Sequence, residues 1–231
     1  MEFDTVDAVV GKFIVSVIED DNYIGGCLRR GCEWDGWMRR DLPLIYKPGT
    51  DILDIGGNIG WNALMFSDYG PVHTFEPWFY SVINKNVDQN ILLNPIEVHQ
   101  YGLGSKNDEM MIFITKREPN GLRNYGAASL EPIPDEKQHP DHAGYEKEGP
   151  IVSIKRLDDV YSGVPSVIKL DVERHELEVI KGAWQTITKH KPAMYIEILD
   201  PSNDEIVKLL TPLGYKMIPR PEHNYLFIAD N

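Results

Sequence analysis

The sequence predicts a doubly wound α/β fold, a mostly parallel sheet with helices on both faces and an antiparallel last strand. Three observations carry that expectation. Thr50 to Ile55 is a short β-branched apolar run that opens directly into Gly56, Gly57 and Gly60, as a buried strand turning sharply into a helix does. Four more apolar runs, at 72–76, 96–101, 166–171 and 193–198, recur downstream, and all but one connection between the five carries a helical pattern. Finally, Tyr215–Ile218 and Tyr225–Ala229 are joined by only a few residues. Parallel strands need a crossover of about a dozen residues, so this last pair is antiparallel.

The 231 residues suit one α/β domain. Residues 1–47 are expected to form a small N-terminal extension packed on the sheet, ahead of a principal domain over 48–231 with an insertion at about 106–157. In the extension, residues 8–18 read as a strand, 22–30 as a short helix and 33–46 as a second helical stretch. Met110–Thr115 has no helix before it, and 116–149 is polar, rich in Pro and Gly and too long for an ordinary connection. With Ile151–Leu157 it predicts an inserted hairpin carrying a loop that acts as a lid or substrate selector. His139-Pro-Asp-His142 in that loop, near Asp135 and Glu136, has metal-ligand chemistry but reads more simply as a solvated acidic loop.

An apolar content of 42% excludes a disordered chain, and a net charge of −13 speaks against nucleic acid as partner. No apolar run approaches the roughly 20 residues that span a bilayer, so no membrane insertion is expected. The acidic N-terminus lacks a signal-peptide core. Cys27 and Cys32 are too few for a disulfide framework. Two reduced thiols in a cytoplasmic protein is the simplest reading.

The acids refine the ligand. A glycine turn at a strand's carboxyl end is where open sheets receive a cofactor. Dinucleotide turns read G-x-G-x-x-G, whereas this turn is Asp54-x-Gly56-Gly57-Asn58-x-Gly60. A carboxylate inside the turn repels a pyrophosphate and attracts a sulfonium. Glu76 ends the second strand, where it can hold both ribose hydroxyls, and Pro77 and Trp78 follow it. Gly102 and Leu103 form another small turn, fit for an adenine or its ribose. Glu33 is placed where the second helical stretch can approach Gly56. Together these acids describe S-adenosyl-L-methionine better than NAD. At the same edge, Lys169-Leu-Asp171-Val-Glu173-Arg-His175-Glu176 follows the fourth strand and Glu197 ends the fifth. Glu176 reads as a helix cap.

Asp54-Ile-Gly-Gly-Asn-Ile-Gly60, Phe75-Glu-Pro77, Arg156-Leu-Asp-Asp159, Ile168-Lys-Leu-Asp-Val-Glu173 and Lys181-Gly-Ala183 resemble, in order, the signature of the FkbM family of S-adenosylmethionine-dependent O-methyltransferases. The layout matches the seven-stranded class I methyltransferase sheet. The resemblance implies methyl transfer to a hydroxyl, most often of a sugar or polyketide. This chain departs from the family at Arg174 and His175, where the family reads Gly-Ala. Removal of the hydroxyl proton falls to His175, Asp171 or Glu197. Otherwise Asp171, Glu173 and Glu197 hold a divalent cation that polarises it. An NAD-dependent oxidoreductase and a cofactor-binding protein without turnover are the competing readings.

Overall fold

The computed structural model describes residues 3–131, 144–146, 149–198 and 205–229. Its centre is a mixed seven-stranded sheet. Five parallel strands, β5 (Ile96–His99), β4 (Val72–Phe75), β3 (Asp51–Ile55), β11 (Pro165–Leu170) and β12 (Ala193–Glu197), lie side by side in that order. Next comes β14 (Asn224–Ala229), antiparallel both to β12 and to the edge strand β13 (Tyr215–Pro219). The order reverses between β3 and β11, so the carboxyl ends of these two strands open a crevice.

Helices cover both faces. On one, α6 (Glu176–Gly182), α7 (Trp184–His190) and α8 (Glu205–Leu210) pack Val179, Ile180, Ile187 and Ile206 against Leu53, Ile168, Leu170 and Met194. Leu177, Ile180, Trp184 and Ile187 recur at helical spacing and predict a single helix here, but the chain breaks at Ala183 and continues as α7. The short α5 (Leu157–Val160) lies on this side too. On the other face, α3 (Trp61–Phe66) has all six residues buried, its inner side packing with Ile52, Val167 and Tyr195. A 3-10 turn over Gly36–Arg40 and α2 (Leu42–Ile45) contribute Met38 and Leu42 to the same cluster, and α4 (Tyr80–Asp88) follows β4.

The single strand expected over residues 8–18 is instead a hairpin, β1 (Thr5–Val10) and β2 (Phe13–Ile18), followed by α1 (Ile24–Arg29). Gly11 adopts φ +58° at its tip, a conformation open to glycine, and across this turn the buried positions shift from Ala8 and Val10 to Phe13, Val15 and Val17. Phe13, Val15 and Val17 pack on Trp61, Leu64 and Val82. Buried Asn86 of α4 ties the hairpin to the glycine turn, accepting from the Ser16 N–H at 2.6 Å and donating to the Ile59 carbonyl at 2.7 Å. Beyond α1 the chain turns back through Gly31, which brings Cys27 and Cys32 to a Cα separation of 5.4 Å, joined as a disulfide rather than left as two thiols.

Between β5 and β11, β6 (Gly102–Leu103), β7 (Asp108–Met111) and β10 (Ile151–Lys155) form a small sheet with β7 and β10 antiparallel. A second pair joins β8 (Ile114–Thr115) to β9 (Tyr145–Glu146). The expected hairpin is thus present in part: β7 starts two residues early and ends at Met111, Ile114–Thr115 pairs separately as β8, and the second strand stops at Lys155, with Leu157 opening α5. His139, His142, Asp135 and Glu136 lie outside the described residues. No described helix is long and apolar enough to cross a membrane.

Candidate active site

The crevice at the β3–β11 switch is lined by Gly56, Gly57 and Asn58 from the glycine turn, by Glu76, Pro77 and Trp78 after β4, and by Gly102 and Leu103 of β6. Asp171, Glu173 and Glu197 line it from β11 and β12, and Tyr23, Trp34 and Asp35 from the extension. The insertion closes another side with residues 124–130. Most residues expected to touch a cofactor thus surround one cavity.

Each glycine of the turn has its own reason. Gly56 adopts φ +83°, and a Cβ there would stand 1.9 Å from the Asp171 carbonyl oxygen. A Cβ on Gly57 would meet the Thr74 hydroxyl at 2.1 Å. Gly60 does not line the cavity. It caps α3 at φ +85° and lies under Ile83. Glu76 is held by three backbone N–H donors, Trp78 at 2.8 Å, Phe79 at 3.1 Å and Asn58 at 3.0 Å. Burial pushes its pKa up to about 7 while those three donors favour the carboxylate. Glu76 therefore fixes the glycine turn to the start of α4 as well as facing the cavity.

Asp54 sits beneath the turn, fully buried, with Oδ2 accepting from Thr74 Oγ1 at 3.2 Å. Burial pushes its pKa up to about 6, against the pull of Lys169. Lys169 is the residue that sequence reasoning passed over. It is 3% exposed and places Nζ 2.9 Å from Asp171 Oδ2. Burial pushes the ammonium down, but Asp171, Asp35 and Asp54 together hold it above the ordinary lysine value. Its signal was a lysine within the apolar run Val167-Ile-Lys-Leu170. The structure thus meets the charge of Asp54 with a cation of the chain itself.

Three buried polar atoms at this end, Asp54 Oδ1, Asn62 Oδ1 and Trp78 Nε1, have no hydrogen-bond partner among the described residues. Asn62 and Trp78 line the cavity. Unpaired buried polar groups cost about 1–3 kcal/mol each, and their gathering here suits a polar ligand that completes them.

Asp171, Glu173 and Glu197 bring one carboxylate oxygen each within 4.8 Å of one another. Burial and then the neighbouring acids raise Glu173 well above the ordinary range and push Glu197 up to about 7. Glu173 and Arg174 both have left-handed backbone, φ +53° and +81°. That turn swings the chain from β11 into α6.

Besides Asp54 and Gly60, which were expected to touch the cofactor but do not line the cavity, two further expectations are corrected. His175 does not reach the crevice: it is 5% exposed, Nδ1 lies 2.6 Å from Glu131 Oε1, and Nε2 packs near Gly104. The left-handed turn at Glu173 and Arg174 carries its ring to the β6 side. Glu33 does not approach Gly56 either, because Arg39 Nε holds it at 2.9 Å outside the cavity. Asp35, two residues on, lies there instead, with burial raising its pKa. Glu176, expected to cap the helix, instead ties down the turn before it: from the first position of α6 its carboxylate accepts from the N–H groups of Val172 at 3.0 Å and Arg174 at 3.2 Å, and the helix has no side-chain cap.

A glycine turn, a strand-end acid and a carboxylate cluster around one cavity at the switch point define a cofactor-binding α/β protein. Residues 54–217 match the family of the methyltransferase FkbM domain, and the chain belongs to that family. No curated protein matches the chain. Among solved structures, methyltransferase FkbM from Methylobacillus flagellatus KT aligns at 20% identity and TM-score 0.48, covering 78% of this chain and 43% of that one. The tRNA (uracil-54, C5)-methyltransferase of Pyrococcus abyssi, in complex with S-adenosyl-L-homocysteine, aligns at 11% identity and TM-score 0.48, covering 99% of this chain and 44% of that one. The chain thus spans less than half the length of either structure.

Proposed function

We propose that this methyltransferase uses S-adenosyl-L-methionine to methylate a hydroxyl of a sugar or glycan. The observation that carries the reading is that one cavity is lined both by the glycine turn with Glu76 and by the acids Asp171, Glu173 and Glu197. The first set suits a nucleoside bearing a sulfonium, and the second suits a hydroxyl that must lose a proton.

When bound, the cofactor supplies an electrophilic methyl group, and its leaving thioether needs no acid. Glu76, Asn58, Trp78, Gly102 and Leu103 would hold the nucleoside, and the unpaired Trp78 Nε1 and Asn62 Oδ1 offer it hydrogen bonds. The acceptor oxygen gains the methyl group and its proton passes to a carboxylate. Glu197 is suited to that step, since a base works best with a pKa near the operating pH and burial has pushed this one to about 7. Asp171, paired with Lys169, orients the acceptor.

Tyr23, Trp34 and Tyr125 supply aromatic faces to the cavity, with Asn124, Ser129 and Asn224 as polar partners. That mixture suits a neutral polyol, and the net charge of −13 disfavours a phosphate-rich acceptor. The same three carboxylates also fit a hard divalent cation, which is the second reading of proton removal. The test is incubation with methyl-labelled S-adenosylmethionine and a panel of mono- and oligosaccharides. Label on a sugar oxygen supports the proposal. Label confined to nitrogen or carbon acceptors, or retained cofactor binding with no transfer to any hydroxyl, overturns it.

A further inference from the structure

We propose that His73, Glu97 and His99 form a second site, which binds a divalent transition ion of the zinc type at the edge of the sheet. His73 lies on β4, and Glu97 and His99 on the edge strand β5 beside it, with Cα pairing of His73 to Glu97 and of Phe75 to His99. Period-two alternation therefore sends all three side chains to the same face.

The donor atoms converge at the right scale. His73 Nδ1 and His99 Nε2 are 3.1 Å apart. Glu97 reaches between them, with Oε2 at 3.4 Å from His73 Nδ1 and Oε1 at 3.7 Å from His99 Nε2. A tetrahedral ion with ligand bonds of about 2.0–2.2 Å sets its donor atoms roughly 3.3–3.6 Å apart. Two imidazoles and one carboxylate are a zinc-type donor set, and the exposed side of Glu97 leaves the fourth position to water.

The outer ring nitrogens are also provided for. Asp51 Oδ2 lies 3.8 Å from His73 Nε2, itself held by the Tyr161 hydroxyl at 2.7 Å. The Tyr101 hydroxyl lies 3.3 Å from His99 Nδ1. With the His99 proton on Nδ1 toward Tyr101 and the His73 proton on Nε2, on the side of Asp51 though beyond direct hydrogen-bond reach, the inner nitrogens face each other as two lone pairs beside a carboxylate. A cation resolves that arrangement, and an oxygen partner on the far nitrogen is the usual support of a metal-ligating histidine. Lys155, over the Tyr101 ring at 4.2 Å, is the nearby positive charge that opposes it. The rival occupant is a single proton shared between the rings.

The test uses tag-free full-length protein, stripped with chelator and titrated with zinc ion by equilibrium dialysis. Wild type should take up one equivalent that Glu97→Gln and His99→Gln both lose and Glu173→Gln, in the carboxylate cluster of the crevice, retains. Glu97 is mostly exposed, so its variant folds and reports on the ligand alone. Asp51→Asn should weaken uptake about 10–100-fold. Nitrogen-15 histidine spectra should shift at His73 and His99 on addition of zinc. No uptake by wild type, equal uptake by wild type and both ligand variants, or unshifted His73 and His99 resonances would leave only a shared proton and overturn the site.

Discussion

The backbone of Gly56 lies directly against that of Asp171: a methyl group on Gly56 would stand 1.9 Å from the Asp171 carbonyl oxygen. The cofactor turn and the strand end bearing the carboxylates are thus packed backbone on backbone. Gly56→Ala should destabilise the protein by about 3 kcal/mol or more, combining left-handed strain with overpacking. Urea unfolding measures this. Binding of S-adenosylhomocysteine should fall in step, since the turn cannot keep its place beside β11. A variant of wild-type stability would mean that the two strand ends separate easily.

Glu76 offers a cleaner probe of the cofactor. Its three backbone donors make Glu76→Ala disruptive to the turn itself, so Glu76→Gln is the better variant. It should weaken S-adenosylhomocysteine binding by about 1.5–3 kcal/mol, the range for hydrogen bonds to charged groups. Unchanged calorimetric affinity in the folded variant would place the ribose elsewhere.

Arg174 stands where the FkbM signature has glycine, and its φ of +81° explains why glycine suits that position. A non-glycine residue in left-handed backbone costs roughly 1–2 kcal/mol. Arg174→Gly should therefore raise stability by about 1 kcal/mol, part of the gain being offset by the greater freedom of glycine in the unfolded chain. The midpoint of chemical denaturation reports it, and a lower midpoint would show that Arg174 makes contacts worth more than the strain.

The strands were legible because each is a compact apolar run closed by glycine or an acid, and the glycine turn announced the switch point. What the sequence hid was direction. Glu33 and His175 are near the right places along the chain, but Glu33 lies in irregular chain ahead of the 3-10 turn and is drawn to Arg39, left-handed Asp35 lines the crevice instead, and the left-handed Glu173 and Arg174 turn His175 to Glu131. Lys169 was hidden for another reason. A buried lysine is intelligible only once three acids are seen around it, and Asp35 is remote from Asp171 in sequence. The hairpin over residues 5–18 was lost because its turn is only Gly11 and Lys12, and the mark it leaves is a phase shift of one residue, from Ala8 and Val10 to Phe13, Val15 and Val17 on the buried face.

Glu197 links stability to pH. Its folded pKa, raised by burial to about 7 from an ordinary 4.5, means that the native state binds more protons than the unfolded chain between those values. Stability should therefore fall as pH rises from about 4.5 to about 7, by on the order of 1–3 kcal/mol given its partial exposure. Glu197→Gln should flatten that slope. Urea midpoints at pH 5 and pH 8 for both proteins are the measurement, and equal slopes would locate the proton uptake in other acids.

Proton removal is where the structure most changes the expectation from sequence. His175→Ala should leave the maximal rate nearly intact, because the ring faces Glu131 and Gly104 and does not line the crevice. Loss of a general base costs about 10²–10⁴-fold, and Glu197→Gln should show a loss of that size with cofactor affinity preserved. With Glu197 as the base, the wild-type rate should rise with pH through about 7, since only the carboxylate can take the proton. Chelator separates the two chemistries. A rate unchanged by chelator, with Glu197→Gln inactive at every metal concentration, assigns the proton to Glu197. A rate abolished by chelator and restored by magnesium or manganese instead makes Asp171, Glu173 and Glu197 ligands. A full rate in both Glu197→Gln and Asp171→Asn would move the catalytic edge away from β11 and β12 altogether.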